Sequence, residues 1–466
     1  MRVLLIVDAY VPGRFSAALQ MHDFAMELRA QGHEPLVITP APGLGSPWMM
    51  DEVDGVQVLR VNTAKTKDVG LIRRAVAECL LPWNLWRGLK KSPLAAVRWD
   101  GVVWYSPTIF FGPMVAMVKR SSGCRAYLIL RDLFPDWAVD TGLMRRGLAY
   151  RFFKWVERFQ YSVADIIGVQ TAANMPLVER ECTRSDTRIE VLNNWLSDRI
   201  KTGETIDIGS GPLAGRTVFV YTGNMGTAQG MDCLIDLATG LRHRNDIGFL
   251  FVGRGSDVPR LRALVVTTGL QNVVFMDEVD SDQIPGILRQ CHVGLIALDP
   301  RHTTHNIPGK FLTYLRAGLP VLARINAGND LESLINVQGI GRVCVGTDQE
   351  QLQQYAEELA LYPALRAHMG KNAKRLADRK FSSSHAVSQL IGALRGDPAR
   401  SKEPAAPYSY AENMGAMQKT VPNSSGAPLV PAKQRGPLPD PLADRDPNRS
   451  ATIVATKKKK QAADKV

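Results

Sequence analysis

The chain has 466 residues, 45% hydrophobic and 22% charged, with 57 Lys and Arg against 45 Asp and Glu for a net charge of +12. That length suggests two or three domains, each able to bury its own core, and excludes a chain that is disordered or fibrous throughout. The basic balance favours anionic partners such as nucleic acid, acidic lipid or phosphorylated ligands, and six scattered cysteines without a CxxC pair read as reduced, mostly buried thiols of a cytosolic protein.

Met1-Arg2 runs straight into Val3-Leu4-Leu5-Ile6-Val7 and Asp8, which reads as a buried strand and not as a signal peptide. A loop carrying Gly13 follows. An amphipathic helix is predicted over 17–30, with Leu19, Phe24 and Leu28 among its apolar positions and Gly32-His33 as its stop. Leu36-Val37-Ile38-Thr39 is the next strand, so the chain opens as a parallel βαβ unit. Further strands are predicted at 56–61, 101–105, 126–130, 166–170 and 189–192. The uncharged stretch 101–118 contains Ser106-Pro107 and Gly112-Pro113, and reads as strand, turn and helix rather than as a membrane span.

Two insertions interrupt this half. Residues 71–99 set Trp83, Trp86 and Trp99 among Arg73, Arg74, Arg87, Lys90 and Lys91. Residues 145–161 set Tyr150, Phe152, Phe153, Trp155 and Phe159 beside Arg151, Lys154 and Arg158. Basic residues interleaved with aromatics suit helices lying in an anionic membrane surface. Each segment alone also fits a helix packed on its own sheet with a solvated basic face. Together they point to peripheral contact with the inner face of the cell membrane.

A break falls over 201–216, and a second βα series begins. Strand 218–222, a glycine-rich turn at 223–230 and a helix over 231–241 come first. Strand 249–252 ends in Gly253-Arg254-Gly255, and strands at 272–275, 293–297, 321–323 and 342–345 follow. Helical stretches at 350–376 and 383–394 complete the folded part. The predicted class is α/β: two Rossmann-like parallel-sheet domains, 1–200 and 201–395, facing a cleft. Over 396–466 Pro, Ala, Ser and charges dominate, which reads as a disordered basic tail. Its Lys457-Lys458-Lys459-Lys460 run either docks on an anionic surface or is simply solvated.

Three strand-end loops of the second half carry candidate chemistry. Asn306 reads as an N-cap with Pro308 in the first turn, Phe311, Leu312 and Leu315 on a core face, and Gly318 and Pro320 as the stop. Such a helix aims free N–H groups and a positive dipole end at an anion, and Lys310 adds a charge. An ordinary core helix with a surface lysine fits the same pattern. The turn from Tyr221 to Gly230 is neither GxGxxG nor a P-loop, but its glycines let backbone N–H groups approach a phosphate. Gly253-Arg254-Gly255 is the third loop, and ligands of open α/β sheets bind at this carboxyl edge. In the first half, Arg131 could neutralise a developing negative charge and Asp132 could orient it or an acceptor hydroxyl. A structural Arg–Asp pair is the other reading. Asp280-Ser281-Asp282 reads as a helix cap, and the eight histidines lack HxxxH or HExxH spacing, so no metal site is expected.

These residues resemble the GT-B-fold retaining glycosyltransferases of family 4, over about residues 1–395. In the first half the likeness rests on Gly32-His33-Glu34 and Leu192-Asn193-Asn194. In the second it rests on Tyr221 to Gly230, Phe251-Val252-Gly253, and Pro308-Gly309-Lys310 leading to Tyr314, Ala317-Gly318 and Pro320-Val321. The strings from Asn306 to Tyr314 and from Arg131 to Asp140 look closer to the N-acetyl-L-fucosamine transferases of O-antigen and capsule assembly. The family's two glutamates separated by seven residues are matched here by His305 and Thr313, and the usual Arg and Lys of the glycine-rich turn by Asn224 and Gln229. Arg131 stands where a histidine often precedes Asp132, which leaves no obvious general base. That suits a retaining mechanism in which the leaving diphosphate takes the acceptor's proton.

The resemblance implies a UDP-sugar donor held by Gly13, Gly223, Asn224, Gly226, Gln229, Arg254, His305, Asn306, Pro308, Lys310 and Thr313. It implies Arg131 and Asp132 as catalytic residues and a polyprenyl-diphosphate-linked sugar as acceptor, with no metal, no cofactor and no nucleic acid. Two other classes stay open. A nucleotide-sugar epimerase shares the architecture. An NAD-binding oxidoreductase or regulatory module expects an acidic residue about 20 positions past the glycine turn at a strand end, whereas Asn245-Asp246 precedes its strand.

Overall fold

The protein, described here by a computed structural model, is defined over residues 1–398 apart from 14–15, 67–68, 107, 141, 198–202, 204–205, 227–228 and 300–306. All but the start of the expected tail, with its run at 457–460, lies outside the described residues. The first sheet holds β1 (Arg2–Ile6), β2 (Glu34–Pro40), β3 (Trp48–Val53), β4 (Val56–Val61), β5 (Gly101–Ser106), β6 (Arg125–Leu130), β7 (Ile166–Val169) and β8 (Arg188–Val191). Their order is β3-β4-β2-β1-β5-β6-β7-β8, and every neighbour is parallel except β3 with β4. The second sheet holds β9 (Thr217–Thr222), β10 (Ile247–Val252), β11 (Val273–Met276), β12 (Val293–Ala297), β13 (Val321–Ile325) and β14 (Gly341–Val345). It is parallel throughout, in the order β11-β10-β9-β12-β13-β14.

Around the first sheet lie α1 (Ser16–Ala30), α2 (Leu71–Lys91), α3 (Gly112–Ser122), α4 (Asp136–Asp140), α5 (Leu148–Val163) and α6 (Met175–Glu181). The second half adds α7 (Asp232–Gly240), α8 (Val258–Thr267), α9 (Ile284–Leu288), α10 (Gly309–Arg316), α11 (Asp330–Gln338), α12 (Gln349–Leu361), α13 (Pro363–Lys380) and α14 (Ser383–Arg395). Val3, Leu4, Leu5 and Ile6 are all fully buried. Helices cover both faces of this parallel strand, so it must be apolar along its whole length. Val3 and Leu5 join one core with Phe24 of α1, while Leu4 and Ile6 join another with Leu85 of α2 and Val115 of α3. In the second half Val218, Val220 and Leu250 pack against Phe311 and Leu315 of α10 and Leu376 of α13.

One strand is added and two expectations are corrected. Residues 48–53 form an edge strand, joined to β4 by a tight turn in which Asp54 and Gly55 have φ of 52° and 78°. Asp-Gly is the residue pair such a turn favours; the adjacent methionines of Trp48-Met49-Met50 hid the alternation. The helical stretch 350–376 is two helices, because Pro363 cannot continue α12 and instead starts α13. Most important, α14 does not belong to a second domain ending at 395. Val387, Leu390, Ile391 and Leu394 fill the first core beside Val3 and Leu5. Arg125 Nη1 donates to the Ala393 carbonyl at 3.2 Å, and Gln389 Nε2 donates to Glu190 Oε1 at 2.9 Å. The chain therefore crosses between halves twice. The crossings are laced together: Leu196 N–H donates to the Phe381 carbonyl at 2.8 Å and Ser383 N–H to the Leu196 carbonyl at 3.1 Å.

Candidate active site

At the carboxyl edge of the second sheet, β9 and β10 run into loops that interlock backbone to backbone. Gly223 N–H donates to the Val252 carbonyl at 2.8 Å, and Met225 N–H to the Arg254 carbonyl at 2.8 Å. Gly253 has φ of 141°, and a Cβ there would meet the Gly223 carbonyl oxygen at 2.2 Å. A Cβ at Gly255 would meet Met225 O at 2.1 Å. Only glycine allows these two main chains to close on one another. Gln229 braces the first loop: its Oε1 accepts from Gly226 N–H at 2.9 Å and from Asn224 Nδ2 at 3.3 Å.

Helix α10 enters this edge from β12. Its N-cap is Pro308, with ψ of 141° and no capping side chain, so Pro308 precedes the first turn instead of lying in it. His305 and Asn306, including the expected Asn306 cap, lie outside the described residues. Among the described residues no side chain caps this start, which leaves its first N–H groups for another acceptor. Tyr314 ties the helix to β9: its hydroxyl accepts from Thr222 N–H at 2.9 Å, and Gly294 leaves room for its ring. This register lays Lys310 back over the glycine loop. Its Nζ stands 3.4 Å from the centroid of the Tyr221 ring, and a Cβ on Gly223 would lie 3.9 Å from Lys310 Cε. Burial with no carboxylate beside it pushes the Lys310 ammonium down to about 7. Tyr221 is held in turn by donation to the Asn224 carbonyl at 2.8 Å.

The remaining residues expected around a donor behave differently. Arg254 is 79% exposed and paired with Glu278 at 3.2 Å. Thr313 Oγ1 donates back to the Gly309 carbonyl at 3.3 Å. In the first half, Gly13 N–H closes a turn onto the Tyr10 carbonyl at 3.1 Å, past the end of β1. Asp280-Ser281-Asp282 does not cap α9; Gln283 is the N-cap. Among the described residues, no group of three or more His, Cys, Asp or Glu side chains is placed to hold a metal.

Arg131 departs from expectation. It is buried, not open to a cleft, and its Nη1 donates to the Leu192 carbonyl at 2.6 Å while its face lies 5.2 Å from the Trp195 ring centroid. It clamps the segment that leads into the first crossing. Asp132 beside it has its carboxyl raised by burial, opposed by the Arg131 charge.

Next to this loop, α5 is amphipathic in the inverted sense. Lys154 Nζ, expected on a basic outer face, is buried 2.8 Å from Asp136, 2.6 Å from Glu157 and 3.2 Å from Glu181. Burial works against its charge, but hydrogen bonds to Asp136 and Glu157 outweigh that and raise its pKa. Burial holds the Glu157 carboxyl up at about 7. Facing outward are Leu148, Phe152, Trp155 and Phe159, with Leu148 83% and Trp155 66% exposed. Arg151 and Arg158 flank them. On α2, Val76, Leu80 and Trp83 are exposed in the same way, whereas Trp86 is partly buried and Trp99 is core. Cys79 of α2, Phe153 of α5 and Phe134 of the Asp132 loop pack on one cluster of Ile109, Phe110 and Val156. Lys154→Met, which strands three carboxylates, is expected to lower unfolding free energy by about 3 kcal/mol in a urea titration.

A family model described as "Glycosyl transferases group 1" matches residues 216–360, and one described as "Glycosyl transferase 4-like domain" matches residues 17–195. The chain is a family 4 glycosyltransferase. This glycosyltransferase is similar to WcaI of Escherichia coli (strain K12), named for colanic acid biosynthesis: 23% identity over 422 residues, 85% of this chain and 100% of the relative. It is also similar to WbjE of Pseudomonas aeruginosa, named as a glycosyltransferase, at 23% over 248 residues, 52% of this chain and 62% of that one. Its two sheets form the GT-B fold. WaaG, a glycosyltransferase involved in lipopolysaccharide biosynthesis, aligns with a TM-score of 0.58 and 18% identity, over 84% of this chain and 100% of its own. HepE of Anabaena, solved with UDP and glucose, aligns with a TM-score of 0.60 and 16% identity, over 85% of this chain and 100% of its own.

Two features escaped sequence reading. Tyr221 as a platform for Lys310 was hidden because strand position 221 looks like core. Gln170, which donates from the end of β7 to the Ile307 carbonyl, has no motif around it.

Proposed function

We propose that this glycosyltransferase moves a hexose, N-acetyl-L-fucosamine on the strength of the sequence resemblance, from a UDP-sugar to a polyprenyl-diphosphate-linked sugar with retention of configuration. The observation that carries the donor half of this reading is Lys310, laid over Tyr221 beside Gly223 in the first turn of α10. As the sugar–phosphate bond breaks, negative charge gathers on the diphosphate, where the ammonium and helix N–H groups lower its energy. Asn224, Gly226 and Gln229 shape the loop around the diphosphate, with Arg254 at its rim and Thr313 towards the ribose. The leaving diphosphate accepts the proton of the acceptor hydroxyl, and no cofactor enters. Asp132, beside the Arg131 clamp, orients that hydroxyl. HepE structures with UDP and with UDP-glucose support the donor class, and WcaI and WaaG support a role in cell-surface polysaccharide assembly.

The acceptor half is read from α5 and α2. Their outward aromatic and basic faces seat the enzyme on the anionic inner leaflet, where a lipid-linked acceptor resides. Among the described residues no helix is long and apolar enough to cross a membrane. Thermal unfolding with UDP and with NADH tests the donor reading. At a hundredfold excess over Kd, UDP should stabilise the fold by about 2.7 kcal/mol and NADH should leave it unchanged. Stabilisation by NADH alone removes the reading. Mass spectrometry of lipid-linked N-acetylglucosamine incubated with a panel of UDP-sugars then identifies the sugar.

A further inference from the structure

The loop after β7 reaches across to the second half. Gln170 Nε2 donates to the Ile307 carbonyl at 3.1 Å, and Ala173 N–H donates to Asp330 Oδ2 at 3.2 Å, in the first turn of α11. Gln170 and Ile307 are only 5% and 6% exposed. The Ile307 side chain is anchored in the second core, while its carbonyl accepts from the first half. Three residues later the chain reaches Lys310. A glutamine amide buried merely to glue two halves together is poorly chosen, because desolvating it costs more than an apolar contact would. Its value lies in fixing a direction.

We propose that Gln170 is a positioning residue of the donor site: by holding the Ile307 carbonyl it sets the loop entering α10, and with it the aim of Lys310. This rests on the reading of Lys310 as the diphosphate ligand. Loss of one buried hydrogen bond, passed on to this loop, is expected to change affinity about tenfold.

The test is calorimetric titration of the full chain with UDP and with UMP. Gln170→Glu is the primary variant, since it keeps the side-chain shape, removes the donor and turns lone pairs on the carbonyl; Gln170→Ala excludes an effect of the added charge. The UDP affinity of both variants should fall about tenfold, with UMP affinity near wild type; the urea midpoint also falls, further for the buried carboxylate of Gln170→Glu, so both titrations are run where each variant is fully folded. Unchanged UDP affinity overturns the inference, as does equal weakening of UDP and UMP, which would mark Gln170 as general packing between the halves. If Lys310→Ala loses UDP while Gln170→Glu keeps it, the inference falls and the donor site stands. A wild type indifferent to UDP removes both.

Discussion

Replacing Lys310 by alanine is expected to weaken UDP binding about a hundredfold and to cut turnover at saturating donor by a further order of magnitude. The size follows from its setting. The ammonium sits half-buried, over an aromatic ring and beside the glycine loop, where solvent screens its field less than at an open surface. The same burial predicts a pH dependence. With its pKa near 7, Lys310 is charged below pH 7 and progressively neutral above it. A bound diphosphate stabilises the charged form and raises that pKa, so binding above pH 7 must take up a proton. UDP affinity is therefore expected to be highest below pH 7 and to fall by up to tenfold per pH unit above it. Calorimetry across pH 6–9 in two buffers of different ionisation enthalpy measures the affinity and the proton uptake. A flat profile in the wild type would show that Lys310 stays out of the diphosphate's reach.

The second large effect belongs to the face of α5. Phe152→Glu with Trp155→Glu is expected to reduce partitioning onto anionic phospholipid vesicles about a hundredfold while leaving UDP affinity unchanged. Each aromatic side chain withdrawn from water contributes about 1.5–3 kcal/mol, and the new charges oppose the lipid headgroups. Co-sedimentation with vesicles of phosphatidylglycerol and phosphatidylcholine reads this out. High salt should weaken only the share carried by Arg151 and Arg158, because screening leaves apolar burial intact. Equal binding by wild type and variant would remove α5 from the membrane reading.

Much of this fold was legible from residue pattern, and the reasons are physical. Strands such as Val3-Leu4-Leu5-Ile6 are buried on both sides and so are apolar without interruption. The glycines at 223, 253 and 255 marked these strand-end loops as places where backbone could approach a phosphate; that 253 and 255 serve the close approach of two main chains was not in the pattern. Patterns failed where a residue's partner is remote in sequence. Lys154 reads as part of a basic surface until Asp136 and Glu181 close around it. Arg131 reads as a free cation until Leu192 supplies a carbonyl for it. Ser383 to Arg395 is amphipathic in a way that suits either sheet, and periodicity alone does not say which one it covers.

The path of α14 also bears on how such enzymes can be recombined. Because the last helix completes the core that residues 1–196 begin, a chimera made at one junction would deprive its first half of that helix and supply a foreign one. The second half is in effect an insert between Leu196 and Phe381. Grafting new donor specificity calls for a cassette exchange with two seams, placed at those residues, keeping both flanks from one parent.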